Sequence, residues 1–155
     1  MSLNIGEPAP DFTLPNQDGI PLSLSSLKGN RVVIYFYPKD ATPGCTKEAC
    51  NFKDHWNIFE SNNISVLGIS KDGASSHLKF INKYNLPFTL LTDSEPCPVA
   101  DSYQSYGLKK FMGREYMGVK RHTFVIDQDG KFELIYFKVK AATMATTVLE
   151  DLRLM

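Results

Sequence analysis

Strand-like and helix-like patterns of apolar residues alternate along this 155-residue chain. Two runs of β-branched, aliphatic and aromatic residues, 31–37 and 64–70, are almost unbroken, which is typical of central strands buried on both faces. Residues 88–93 form a shorter strand-like run. Between and after these runs the apolar spacing changes to the helical period. It predicts helices from Pro43 onward and over residues 74–84, 99–106 and 146–154.

Two further segments predict β-hairpins. Residues 12–24 turn at Asp18-Gly19 and residues 121–137 turn at Asp129-Gly130, and Asp-Gly is a strong hairpin-turn signal. The order of elements predicts an α/β fold whose mixed central sheet is flanked by helices and preceded by an N-terminal hairpin. The first two long strands should be parallel neighbours. A thioredoxin-like sheet fits this order, whereas a flavodoxin-like sheet would need another strand–helix unit in place of the last hairpin.

Length and charge narrow the class of protein. At this length we expect one domain covering residues 1–155. Lys plus Arg and Asp plus Glu each number 17, so there is no basic field to attract nucleic acid or an anionic membrane. No apolar run approaches the ~20 residues of a membrane span. The start, "MSLNIGEPAPDF", lacks the pattern of a targeting peptide, so we expect a cytoplasmic protein, with a removed peptide left open.

The chain contains 3 cysteines, too few for a secreted disulfide scaffold. Two of them lie in "PKDATPGCTKEAC", residues 38–50. Pro43 is favoured at the first helical position, which makes Thr42 the N-cap, with its hydroxyl available to a backbone N–H of the first turn. Cys45 then lies in that first turn, where free N–H groups and the helix dipole favour an anion such as a thiolate.

Cys45 and Cys50 point in different directions on this predicted helix. Cys45 begins an apolar stripe that continues at steps of 4, 3, 4 and 3 through Ala49, Phe52, Trp56 and Phe59. Five residues turn the helix so that the two thiols point about 140° apart, with Cα atoms roughly 8–9 Å apart. A disulfide needs Cα atoms within about 7 Å, so bonding requires the first turns to unwind. The alternative is that Cys45 is simply a small buried apolar residue.

The stretch "YPKDATPGCTKEAC" resembles the peroxiredoxin active-site pattern Pro-x-x-x-Thr-x-x-Cys, here Pro38, Thr42 and Cys45. Its Pro-Gly-Cys-Thr-x-Glu-Ala-Cys portion is similar to the bacterioferritin comigratory protein/peroxiredoxin Q subfamily. Segments such as "GEPAPDFTLPNQDG" and "RHTFVIDQDGK" extend the resemblance to about residue 134.

This resemblance implies a thioredoxin-like fold and a cofactor-free thiol peroxidase of the atypical two-cysteine type, acting on hydrogen peroxide and organic hydroperoxides. It makes Cys45 the peroxidatic cysteine and Cys50 the resolving one. It assigns Thr42 to hold peroxide and thiolate, Pro38 to shield the sulfur, and Arg121 to a position beside the thiolate. It also implies a thioredoxin-like dithiol protein as reductant, and a monomer.

Other residues are less telling. Glu48 could anchor Arg121 or a backbone N–H, or be a solvated carboxylate. Cys97 lies between two prolines and is not required by the family. The 3 histidines show no metal-ligand spacing, and we expect no metal site. We expect His55 and His77 on the surface and His122 facing away from Cys45, because it alternates with Arg121 along a strand.

Three rival functions use the same residues. A thiol–disulfide oxidoreductase is disfavoured because the chain lacks Cys-x-x-Cys and Cys50 cannot reach Cys45 in a folded helix. A redox sensor would use the same cysteines without turnover. A binding module would contain them as inert thiols.

Overall fold

The computed structural model describes residues 3–155. Its strands, in chain order, are β1 (Thr13–Pro15), β2 (Pro21–Ser23), β3 (Val32–Phe36), β4 (Ser65–Ser70), β5 (Thr89–Thr92), β6 (Tyr106–Phe111), β7 (Arg114–Val119), β8 (Thr123–Ile126) and β9 (Phe132–Tyr136). Its α-helices are α1 (Pro43–Asp54), α2 (Trp56–Ser61), α3 (Ala74–Tyr84), α4 (Pro98–Ser102) and α5 (Met144–Asp151). No helix within residues 3–155 combines the length and apolar character needed to cross a membrane.

A five-stranded mixed sheet in the order β5-β4-β3-β8-β9 forms the centre of the fold. Strand β3 runs parallel to β4 and antiparallel to β8. Strands β1 and β2 form the N-terminal hairpin, and β8 and β9 form the C-terminal one. The predicted thioredoxin-like arrangement, with a parallel central pair and two hairpins, is confirmed.

The two faces of β3 serve two separate layers. Val33 and Tyr35 face a core shared with α1, α3 and α5, where Tyr35 stacks on Phe52 with ring centroids 4.8 Å apart. Ile34 and Phe36 face the other core, which contains the N-terminal hairpin and α4. Every residue of β3 is buried, which explains why its sequence shows no polar alternation.

The structure differs from the predicted elements in two places. The helix expected over residues 99–106 ends at Ser102, and the next residues enter a hairpin of β6 and β7 that the pattern did not reveal. Most residues of this hairpin are exposed or only half-buried, so no apolar alternation marks it. The single helix expected after Pro43 divides at His55 into α1 and α2.

Candidate active site

The topology of the sheet brings distant residues to the carboxyl end of β3. The chain leaves β3 there and enters α1 through residues 37–42. Strand β8 is antiparallel to β3 and pairs Thr123 with Tyr35, so β8 begins at the same edge. The backbone N–H of Phe36 donates to the carbonyl oxygen of His122, 2.9 Å away. Arg121, the residue before His122, is therefore held beside the start of α1.

Cys45 and Arg121 are in contact at this edge. Cys45 lies in the first turn of α1 and is 1% exposed. The Nη2 group of Arg121 donates to its Sγ atom over 3.3 Å. A permanent positive charge and the first turn of the helix thus both lie beside the sulfur.

Glu48 fixes the guanidinium from the other side. Arg121 Nη1 donates to Glu48 Oε1 over 2.7 Å, and the Glu48 side chain is fully buried. Burial raises the pKa of Glu48 to about 7, although the charge and hydrogen bond of Arg121 oppose the rise. Of the alternatives open for Glu48, the structure shows the anchor of Arg121 and not a solvated carboxylate.

Gly44 leaves the space that Arg121 occupies. A Cβ atom at this position would lie 3.2 Å from Arg121 Nη2, a tight contact against a group held by two other residues. The Pro-Gly-Cys order therefore has a steric reason: proline starts the helix, and glycine lets the guanidinium reach the sulfur.

Thr42 and Pro38 border the loop before α1. Thr42 is the N-cap by backbone position, with extended φ and ψ of −75° and 156°. Its hydroxyl, however, donates to the Lys39 carbonyl oxygen over 2.8 Å, so the expected hydrogen bond to a first-turn N–H is wrong. The hydroxyl instead tightens the loop. Pro38 follows the buried Tyr37 and is half-buried.

Cys50 lies on α1 itself, half-buried, and the helix continues through it. All three cysteines are free thiols. Burial raises the pKa of the Cys50 thiol, with Lys53 opposing the rise and Asp54 adding to it. In the folded helix Cys50 is therefore a protonated thiol at neutral pH.

Cys97 belongs to a different part of the molecule. It is fully buried among the residues of the core that contains α4, whereas Cys45 belongs to the core on the opposite face of the sheet. Burial, with smaller contributions from Asp93 and Glu95, raises the pKa of Cys97 to about 11.

The histidines differ from expectation at one position. His122 packs against Phe137, with ring centroids 4.8 Å apart, and so faces away from Cys45. His55 is half-buried at the end of α1. The expectation of an exposed His77 is wrong: it is 0% exposed and contacts Asp40. The available signal was helical spacing, because His77 precedes the buried Phe80 by three residues on the same face of α3.

No group of three or more His, Cys, Asp or Glu residues within residues 3–155 is arranged to hold a metal ion.

The family model described as AhpC/TSA matches residues 5–135. The chain belongs to the AhpC/TSA family. Within that family it is 43% identical over 153 residues to peroxiredoxin Bcp of Bacillus subtilis, covering 99% of this chain and 97% of that protein.

Two solved structures of this family are similar throughout. One is the Xanthomonas campestris bacterioferritin comigratory protein, studied for alkyl peroxide reduction, with TM-score 0.88, 30% identity and coverage of 97% of this chain and 98% of that one. The other is a mutant of Xylella fastidiosa peroxiredoxin Q, with TM-score 0.90, 29% identity and coverage of 99% and 97%. The chain is thus a peroxiredoxin of the Bcp/peroxiredoxin Q kind.

Proposed function

We propose that this peroxiredoxin is a thiol-dependent peroxidase in which Cys45 reduces hydrogen peroxide and organic hydroperoxides. The observation that carries the proposal is the contact of 3.3 Å between Arg121 Nη2 and Cys45 Sγ. Because the buried Glu48 holds the guanidinium, this donor is already in position before a peroxide arrives.

In the first step the Cys45 thiolate attacks one peroxide oxygen. The S–O bond forms, the O–O bond breaks, and the leaving oxygen takes a proton to become water or an alcohol. Cys45 becomes a sulfenic acid. Negative charge builds on the leaving oxygen, and Arg121 and the N–H groups of the first helical turn are the donors that stabilise it.

Thr42 and Pro38 form part of the proposed peroxide-binding site. The Thr42 hydroxyl donates its hydrogen bond to the Lys39 carbonyl oxygen, which leaves the hydroxyl lone pairs free to accept a hydrogen bond from the O–H of a hydroperoxide. Pro38, half-buried at the end of β3, limits access of water to the sulfur. These roles match those that the family resemblance assigns.

In the second step Cys50 attacks the sulfenic sulfur. The S–S bond forms, the S–O bond breaks, and the hydroxyl leaves with the thiol proton as water. Because both cysteines occupy one intact helix, the first turns of α1 must unwind before this step. Unwinding also exposes Cys50 to water, which removes the burial that raises its pKa.

In the third step a dithiol protein of the thioredoxin kind reduces the disulfide by thiol–disulfide exchange and restores both thiols. All reacting cysteines belong to one chain, so we infer that a single-domain monomer of residues 1–155 completes the cycle. A dithiol reductant of this kind works in a reducing compartment, and this supports the cytoplasm as the location of the peroxiredoxin.

Mass spectrometry after rapid mixing with stoichiometric hydrogen peroxide tests the proposal. We expect a Cys45–Cys50 disulfide within about a second, the slow end of the range for local unwinding. Cys97→Ser is the matched control and should behave like the unmodified protein. Cys50→Ser should stop at the Cys45 sulfenic acid. Peroxide consumption by Cys45→Ser at the unmodified rate would disprove the function.

A second assay tests the reductant. Disulfide reduction by thioredoxin with thioredoxin reductase and NADPH is compared with reduction by glutathione and glutaredoxin. Multiple turnovers with the thioredoxin system are expected. Turnover with glutathione and glutaredoxin alone would contradict the proposed thioredoxin-like reductant but not the proposed peroxidase activity.

A further inference from the structure

A buried polar cluster lies beside the loop that precedes Cys45. Asp40 is 7% exposed and His77, from α3, is 0% exposed. His77 Nδ1 lies 2.7 Å from Asp40 Oδ2, and the Ser76 hydroxyl donates to the same oxygen over 2.8 Å. The Tyr37 hydroxyl donates to the other carboxylate oxygen over 2.5 Å. None of these side chains contacts Cys45 or Arg121 through a hydrogen bond.

His77 connects three elements of the fold. Its Nδ1 faces the Asp40 carboxylate, and its Nε2 lies 3.1 Å from the carbonyl oxygen of Leu91 in β5. Both partners are oxygens that accept hydrogen bonds, so each ring nitrogen of His77 faces an acceptor. These contacts join the loop to α3 and β5, and removing the imidazole would leave buried oxygen atoms with fewer hydrogen-bond partners, which is costly.

The backbone of the same loop is held as well. The Asp40 N–H donates to Asp72 Oδ2 over 2.8 Å, and Asp72 is itself fixed by the Ser70 hydroxyl at 2.7 Å. The next residue, Ala41, has φ of +60°, a left-handed conformation that is strained for a residue other than glycine. The strained loop therefore stays in place because Asp40 is anchored on both its side chain and its backbone.

We propose that the Asp40–His77 pair is a latch that holds residues 38–42, and with them the first turns of α1, in the conformation that reacts with peroxide. Asp40 and His77 are positioning residues: they act through the loop and touch neither the sulfur nor the peroxide. This inference rests on the proposed roles of Cys45 and Cys50.

The latch affects the two chemical steps in opposite directions. Attack on peroxide needs the folded helix, because only there does Cys45 meet Arg121. Disulfide formation needs the unwound helix. A firm latch speeds the first step, slows the second, and prolongs the life of the sulfenic acid. A second peroxide can then transfer one oxygen atom to that sulfur, which becomes a sulfinic acid. The rest of the peroxide leaves as water or an alcohol.

A purely structural role makes a different prediction. If the pair contributes only to global stability, its loss lowers the free energy of unfolding without changing the ratio of the two rates. Asp93→Asn is the matched control, because Asp93 is also a buried carboxylate, 1% exposed, but it caps α4 through the N–H groups of Val99 and Ala100.

The experiment measures both rates by quenched flow and mass spectrometry. In His77→Leu we expect disulfide formation about tenfold faster, which corresponds to about 1.4 kcal/mol, with slower attack on peroxide and less sulfinic acid at high peroxide. His77→Gln retains one donor and should lie between His77→Leu and the unmodified protein. Asp93→Asn should leave the rate ratio unchanged.

A second variant and the unmodified protein distinguish failure of the latch from failure of the proposed function. If His77→Leu does not fold by circular dichroism, Ser76→Ala, which removes one hydrogen bond to Asp40, should change the ratio in the same direction by a smaller factor. An unchanged ratio in the folded His77 or Ser76 variants overturns the latch alone. Absence of a Cys45–Cys50 disulfide in the unmodified protein overturns the proposed function instead.

Discussion

At Cys45, three features of the chain surround one sulfur atom. The helix N-terminus supplies free N–H groups, Arg121 supplies a charge at 3.3 Å, and Gly44 supplies the space between them. Glu48 keeps the guanidinium from turning away to solvent. The reactivity expected of this thiol therefore depends on groups that are fixed before peroxide binds.

Gly44→Ala tests the space that Arg121 occupies. The added Cβ would lie 3.2 Å from Arg121 Nη2, so we expect the guanidinium to shift and attack on peroxide to slow by about tenfold. The variant should still fold, because alanine favours a helix by up to about 1 kcal/mol over glycine. Stopped-flow peroxide kinetics measure the change. Gly73→Ala is the control, since a Cβ there meets nothing within 4 Å.

We expect Glu48 to make the free energy of unfolding depend on pH. Because burial raises its pKa from 4.5 to about 7, the folded chain retains a proton that the unfolded chain loses. The free energy of unfolding should therefore fall as pH rises through this window, by up to about 3 kcal/mol.

Urea unfolding of the unmodified protein and of Glu48→Gln at several pH values between these limits isolates this contribution. His122, whose pKa burial lowers to about 4, changes both profiles equally and cancels in the difference. Parallel profiles for the two proteins would show that Glu48 does not exchange its proton in this range.

At the scale of elements, helix α1 has two differently anchored parts. Its first turns, residues 43–50, carry both cysteines. Asn51 Oδ1 accepts hydrogen bonds from the N–H groups of Ala145 and Thr146, at 2.7 and 3.3 Å, and so ties α1 to the start of α5. Lys53 donates to the Tyr84 carbonyl oxygen over 2.7 Å and ties it to the end of α3. Unwinding should therefore stop at Asn51.

Hydrogen exchange of the reduced and disulfide forms tests this boundary. We expect amides of residues 43–50 to lose protection in the disulfide form, by about tenfold or more, while residues 52–54 and α2 keep theirs. Asn51→Ala should extend the loss into residues 52–54. Loss of protection throughout α1 and α2 in the unmodified protein would contradict the anchor.

At the scale of the whole molecule, the site lies where one of the two cores reaches the edge of the sheet. Cys45 and Ala49, which lie in the part of α1 expected to unwind, both belong to the core that includes α5. The unwinding proposed for disulfide formation would therefore remove packing from that core, while the core on the other face, which holds Cys97, would stay intact.

The disulfide form should for this reason be less stable than the reduced form. We expect a Tm lower by several degrees, since each kcal/mol shifts Tm by roughly 2–4 °C for a protein of this size. Differential scanning calorimetry of the two forms measures the difference. Peroxide-treated Cys45→Ser, which forms no Cys45 disulfide, is the control. An equal or higher Tm in the disulfide form would contradict extensive unpacking.

Several elements of the fold follow from local patterns in the sequence alone. The buried strands β3 and β4, helix α3 and the start of α1 at Pro43 all follow from apolar spacing and turn or cap residues, and the structure confirms them. The spacing of Cys45 and Cys50 also excludes a disulfide within an intact helix, because helix geometry depends on nothing outside the segment.

Contacts between residues that are distant in sequence depend on how the elements pack together. Arg121 follows Cys45 by 76 residues, and their contact arises from the antiparallel pairing of β8 with β3. His77 was expected on the surface because nothing near it in the sequence indicates its partner, Asp40, which lies in the loop between β3 and α1. The β6–β7 hairpin escaped prediction because most of its residues are exposed or only half-buried. The apolar pattern of a segment indicates which of its residues are buried, whereas strand pairing across the sheet determines which distant residues they contact.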